Sequence, residues 1–121
     1  MHAVATLDEI RLILHPALAD SLALRAIVFG SYARGDADRY SDLDLIIVAQ
    51  TDKKFMRRGE DFEDVQAAWG RAMDMLVYTP EELEQLLREE RGFIIKALEE
   101  GVTIYEKPET SGGTLACPVP A

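Results

Sequence analysis

The chain has 121 residues, 48% of them hydrophobic, with 13 Lys and Arg against 22 Asp and Glu for a formal net charge of −9. A chain of this size buries roughly two-thirds of the surface its unfolded form exposes, enough for one core, so a second substrate-binding domain is not expected. Excess negative charge repels phosphate backbones, which argues against direct binding of nucleic acid over a broad surface and leaves any phosphate to a local device.

The longest apolar run, Leu45-Ile-Ile-Val-Ala49, falls far short of the roughly 20 residues that span a bilayer, so no membrane segment is expected. The first residues hold no basic cluster leading into an apolar stretch, and the cytoplasm is the expected location. Cys117 is the one cysteine and is given no role. His2 and His15 have no zinc-ligand spacing.

In chain order, Leu7, Ile10, Arg11 and Leu14 make a short helical face that Pro16 is expected to interrupt after His15, with a second helical stretch to about Leu22. Arg25 to Phe29 is an apolar run ending at Gly30, the pattern of a buried strand entering a turn. Ser31 is a good N-cap residue, which predicts one or two helical turns from Tyr32 to about Asp36, then a loop from Ala37 to Ser41. Asp42 to Val48, rich in branched residues, predicts a second buried strand. Phe55, Phe62, Val65 and Trp69 suggest an amphipathic helix over 55–70 whose first half Gly59 weakens.

Ala72 to Tyr78 predicts a third strand, and Thr79-Pro80-Glu81-Glu82 is a capping box with proline at the first helical position. Leu83, Leu86 and Leu87 form the inner stripe of that helix. After a break near Gly92, Phe93, Ile94, Ala97 and Leu98 face inward on another helix, which Gly101 ends, and Val102 to Tyr105 form a last strand. The domain is expected over 1–106. The tail 107–121, rich in Gly, Pro and small residues, is expected to be disordered. The mixture of helices and strands predicts an α+β domain.

Asp42 and Asp44 lie two apart in a strand, so both carboxylates leave the same face with Cα atoms roughly 7 Å apart. At that distance they repel by about 2 kcal/mol at an effective dielectric of 20, and a positive partner is called for. Hard divalent cations such as magnesium suit a ledge of two carboxylates with room for substrate oxygens. A solvent-facing acidic pair would explain a bare Asp-x-Asp. The context favours a site: Gly30-Ser31 ends one strand, and Asp42-x-Asp44 opens the next after ten residues. Gly30 admits close backbone approach, while the amides and hydroxyl at Ser31 can cradle the terminal phosphates of a nucleotide.

The run Gly30-Ser-Tyr-Ala-Arg-Gly-Asp-Ala-Asp-Arg-Tyr-Ser-Asp-Leu-Asp-Leu45 resembles the signature of the DNA polymerase beta nucleotidyltransferase superfamily. It looks most like the minimal nucleotidyltransferase (MNT) branch, whose members are often antitoxins paired with HEPN-domain toxins. Phe93 to Tyr105 is similar to the C-terminal end of that branch, and the likeness covers about Leu24 to Glu106. It implies a nucleotidyltransferase fold, a small mixed β-sheet packed against helices.

Such enzymes require a third carboxylate on a neighbouring strand, and Asp74 matches it. Alternation agrees, since Met73, Met75 and Val77 share one face and Asp74 takes the other, although an arginine such as Arg25 or Arg71 could simply hold it. By resemblance Asp42, Asp44 and Asp74 would be both metal ligands and catalytic residues. Asp42 and Asp44 would hold magnesium against ATP, while Asp74 would bind the catalytic ion and draw the proton from the attacking hydroxyl. Two ions about 3.5 to 4 Å apart would support displacement at the α-phosphorus with pyrophosphate leaving. Arg34 would either neutralise the triphosphate or pair with Asp36 or Asp38.

The acidic run Glu81, Glu82, Glu84, Glu89, Glu90, Glu99 and Glu100 reads as a solvated helical face or a surface for a basic partner. Tyr32, Tyr40, Tyr78, Trp69 and the methionines read as packing residues. The function implied by the resemblance is transfer of AMP from ATP to a hydroxyl, a tyrosine, of a HEPN-family toxin in a hetero-oligomer, silencing it. The alternatives are an aminoglycoside-type antibiotic nucleotidyltransferase and a non-catalytic antitoxin that neutralises by binding.

Overall fold

A computed structural model describes residues 4–108. Its elements in chain order are α1 (Leu7–Ala19), β1 (Ala23–Phe29), α2 (Ser31–Arg34), β2 (Leu43–Ala49), a 3₁₀ segment (Phe55–Phe62), α3 (Glu63–Trp69), β3 (Met73–Tyr78), α4 (Pro80–Arg88), α5 (Gly92–Glu100) and β4 (Val102–Glu106). This is the mixed α+β architecture expected. The strand order is β3-β2-β1-β4. β1 pairs antiparallel with both β2 and β4, and β2 pairs parallel with β3 through the crossover of the 3₁₀ segment and α3.

Alternation along the strands divides the apolar side chains between two layers. Ala26, Val28, Leu45, Ile47 and Val77 pack beneath α1 and α3 with Ile10, Leu14, Leu18, Val65 and Trp69. Ile27, Phe29, Ile46 and Val48 pack on the other face with Leu83 of α4 and Ile94 and Ala97 of α5. By the same parity Asp44 and Asp74 belong to the α4 and α5 face, at the edge of the sheet where β2 and β3 begin and β1 ends.

Several expectations need correction. α1 runs unbroken through Pro16. The carbonyl that Pro16 leaves without a donor is that of Leu12, a residue 75% exposed, so water can satisfy it, while Ile10, Leu14 and Leu18 keep one buried stripe across the proline. Ser31 is not the cap of α2. Gly30 takes that place and Ser31 is the first helical residue. Asp42 lies just before β2 rather than within it. The 55–70 helix divides into a 3₁₀ segment around Gly59 and a short α3, which Gly70 ends in the left-handed region with φ 74°.

The capping box at Thr79 forms as expected: Thr79 Oγ1 accepts from Glu82 N at 3.1 Å, and Glu82 Oε1 accepts from Thr79 N at 3.0 Å. Leu87 and Phe93 are exposed rather than inward, as are Tyr40 and Met56. Phe93 meets Phe29 edge-to-face from the rim of the layer. Tyr32 and Trp69 do pack together, ring against ring, in the core.

One buried charge organises the crossover. Arg58, 6% exposed, donates to the Val77 and Lys53 carbonyls at 3.0 and 2.9 Å and holds the Glu82 carboxylate in a two-pronged pair at 2.6 and 2.9 Å. It ties the 3₁₀ segment to the end of β3 and the start of α4, and it takes Glu82 out of the solvated acidic run. At the chain's end Lys107 N donates to Leu24 O at 2.9 Å. The tail from residue 109 onward, including Cys117, lies outside the described residues.

Candidate active site

Strand register builds the carboxylate cluster. In the parallel pair Asp44 is the partner of Asp74, and in the antiparallel pair Phe29 is the partner of Asp44. The Leu43 amide donates to the Ala72 carbonyl at 3.1 Å, and the Trp69 indole donates to the same oxygen at 3.2 Å, locking the starts of β2 and β3 together. Asp42 is delivered by a tight turn in which Asp38 Oδ1 accepts from Tyr40 N and Ser41 Oγ accepts from Asp38 N, both at 2.9 Å, a side-chain-stabilised bend of the kind Asp and Ser favour.

Asp44 is half-buried, whereas Asp42 and Asp74 are exposed. Burial raises the Asp44 carboxyl pKa above its ordinary value. Asp74 and then Asp42 push it further by like-charge repulsion, and only Arg34 opposes them. This is the electrostatic signature of acidic groups crowded together. Neither arginine considered for Asp74 takes it: Arg25 lies 3.9 Å from Glu106, and Arg71 stacks over Trp69.

Gly30 is packed against this cluster. Its φ of 73° lies in the left-handed region, and a Cβ placed there would overlap Asp44 Oδ2 and come within 3.1 Å of its Cγ. Only glycine gives both the backbone conformation and the space. The Gly30 carbonyl accepts from the Ala33 and Arg34 amides, each at 3.0 Å, and Ser31 O accepts from Gly35 N and Asp36 N at the same distance. These hydrogen bonds close the bend, which sets Gly30 against Asp44. Arg34 reaches both Asp36 at 3.3 Å and Glu100 at 3.4 Å, and these pairings raise its pKa, Asp36 first. Of the two roles foreseen for Arg34, pairing with Asp36 is present, and Asp38 is not involved.

Glu100 was the residue local patterns missed. Read as part of a solvated run, it instead accepts the Gly30 N–H at 3.0 Å. Seventy residues separate the partners, so nothing in the neighbouring sequence could have signalled the contact.

Among the described residues no group of three or more Asp, Glu, His or Cys side chains is placed to hold a metal ion together. The donors nevertheless suit magnesium, which keeps much of its water and takes one or two carboxylates together with substrate phosphates. The repulsion around Asp44 is what such an ion would relieve. A cavity of about 500 Å³ between Phe55, Tyr78 and α4 lies at the far end of β3 from Asp74. Tyr78 lies four positions along the strand from Asp74, roughly 13 Å, so that cavity is remote from the carboxylates.

A mixed four-stranded sheet carrying acidic residues at the mouth of a glycine-serine bend defines a nucleotidyltransferase domain, and the chain belongs to that family: the nucleotidyltransferase domain model matches residues 16–107. Among solved structures it is similar to a toxin-antitoxin with AMP-PNP, at 18% identity over 80% of this chain and 73% of that one, TM-score 0.56. A mutant of the toxin-antitoxin MntA-HpeT gives 17% identity over 80% and 73%, TM-score 0.55. A candidate nucleotidyltransferase from Sulfolobus solfataricus gives 18% over 88% and 92%, TM-score 0.51. These likenesses establish the fold. No curated protein matches the chain. Among the described residues no helix is long and apolar enough to cross a membrane.

Proposed function

We propose that this protein is the nucleotidyltransferase antitoxin of a toxin-antitoxin pair, transferring AMP from ATP to a tyrosine hydroxyl of a cytoplasmic HEPN-family toxin. The observation that carries the reading is the packing of Gly30 on Asp44, with Asp74 in register beside it and Asp42 one bend away. This sets acidic oxygens beside the glycine-serine bend. The fold likeness to toxin-antitoxin structures, one of them with AMP-PNP, supports the choice of partner and nucleotide.

In this reading Gly30 and Ser31 present the bend to the phosphates, and Arg34 offsets their charge. Asp42 and Asp44 would hold magnesium with the triphosphate, and Asp74 would hold the second ion. Bound magnesium supplies charge neutralisation at the phosphates and orients them for in-line displacement. Asp74, the one carboxylate of β3 and an exposed one, accepts the proton of the attacking hydroxyl. The new bond joins that oxygen to the α-phosphorus as the bond to pyrophosphate breaks. No covalent nucleophile is required, because positioning and electrostatics do most of the catalysis in transfers at phosphorus.

The test is incubation with α-labelled ATP, magnesium and either the product of the adjacent reading frame or an aminoglycoside, in parallel with Asp44→Asn. Label on a toxin tyrosine, absent with Asp44→Asn, is the expected result. Label only on an aminoglycoside, or tight toxin binding with no transfer by either protein, would overturn it in favour of an antibiotic-modifying enzyme or a non-catalytic antitoxin.

A further inference from the structure

We infer that Glu100 is an internal stand-in for phosphate: its carboxylate occupies the Gly30 N–H and the Arg34 guanidinium, and nucleotide must displace it to bind. The identity of the incoming anion rests on the proposed function. The contact itself is a feature of the fold.

Glu100 Oε2 accepts from Gly30 N at 3.0 Å, and both its oxygens lie 3.4 Å from Arg34 Nη1. The side chain is only 19% exposed, although it ends α5, where the helix dipole disfavours an anion. The donors of the bend hold it there against that field. Carboxylate and phosphate oxygens compete for the same charge-assisted donors, and one N–H cannot serve both fully.

Nor does the bend need Glu100 for its shape. The Ala33 and Arg34 amides already close it onto the Gly30 carbonyl, and Asp44 fills the space beside Gly30. Glu100 therefore occupies the donors without building them.

A cleft of about 220 Å³ opens at this contact, between the bend and α5, with Lys96 as well as Arg34 and Glu100 in its lining. With Glu100 seated, one carboxylate offsets part of the charge of these two cations. When it swings out, Lys96, a free Gly30 N–H and Arg34, which keeps its pairing with Asp36, face the same space, and the cleft gains donors for an incoming anion. Glu100 thereby sets how tightly the protein holds nucleotide.

The experiment measures binding of ATP with magnesium, and separately of inorganic tripolyphosphate, to the full chain by calorimetry. It compares wild type, Glu100→Gln and Glu99→Gln, the last removing the same charge from an exposed neighbour. Glu100→Gln should tighten both probes by about tenfold, the scale of exchanging a charged for a neutral hydrogen bond. Glu99→Gln should stay within about twofold, as expected for an exposed charge. The Gly30 amide resonance should differ between wild type and Glu100→Gln when free and converge when both are saturated, because Glu100 has then left.

Binding by Glu100→Gln alone would support the inference as strongly. If wild type binds but Glu100→Gln binds equally or more weakly, the inference is overturned and the proposed function stands. If neither protein binds either probe, the proposed function fails and takes this inference with it.

Discussion

Replacing Asp44 by asparagine should make the metal-free protein more stable while abolishing nucleotidyl transfer. Asp44 and Asp74 are register partners on adjacent parallel strands, a spacing of roughly 5 Å at which two charges repel by about 3 kcal/mol at an effective dielectric of 20. Asp42 adds to this from about 7 Å away. Asp42 and Asp74 are exposed, and solvent screening reduces the net penalty to about 1 kcal/mol. The introduced amide can also donate to Asp74. For a domain of this size about 1 kcal/mol corresponds to a rise in Tm of roughly 4 °C.

The pH dependence provides a second check. Burial, Asp74 and Asp42 raise the folded pKa of Asp44 above its ordinary 3.8, so the folded state binds that proton more tightly than the unfolded chain. The wild type is spared the penalty below 3.8, loses stability as pH rises from there through the folded pKa, and carries the full penalty beyond it. The advantage of Asp44→Asn should therefore be near nil in acid and complete at neutral pH. Calorimetric melting in chelator across that range measures it. A fall in Tm at neutral pH, or an advantage that grows on acidification, would show that Asp44 is a structural aspartate and refute the electrostatic account.

Gly30→Ala should destabilise by about 2 to 3 kcal/mol, combining a left-handed backbone with overlap on Asp44. Gly35→Ala, where φ is 87° but the space is open, should cost about 1 kcal/mol, and equal losses in denaturant unfolding would contradict the packing argument. Arg58→Ala should cost about 2 to 3 kcal/mol, since it strands Glu82 and two carbonyls. Because Arg58 holds the Glu82 carboxyl below its ordinary pKa of 4.5, this contribution is present above 4.5 and is lost as pH falls through the depressed folded value. The difference between wild type and variant should therefore shrink in acid melts. Thr79→Ala removes the cap of α4 and should lower stability by about 1 kcal/mol, read by thermal melting.

What the sequence determined by itself was whatever adjacent residues encode. The apolar runs marked β1, β2 and β3, Thr79-Pro80-Glu81-Glu82 marked the start of α4, and the spacing of Gly30-Ser31 to Asp42-x-Asp44 marked the candidate site. Period and capping chemistry act over a few residues, so they can be read locally. Tertiary structure decided what depends on distant partners. α1 passes through Pro16 because its buried stripe outweighs one lost hydrogen bond whose carbonyl can face water. Arg58 is buried because Glu82 and two carbonyls from other segments receive it. Asp74 meets Asp44 only through strand register, and Glu100 sits on Gly30 only because α5 ends there. Those contacts exist once the sheet and helices have assembled, and no local pattern carries their free energy.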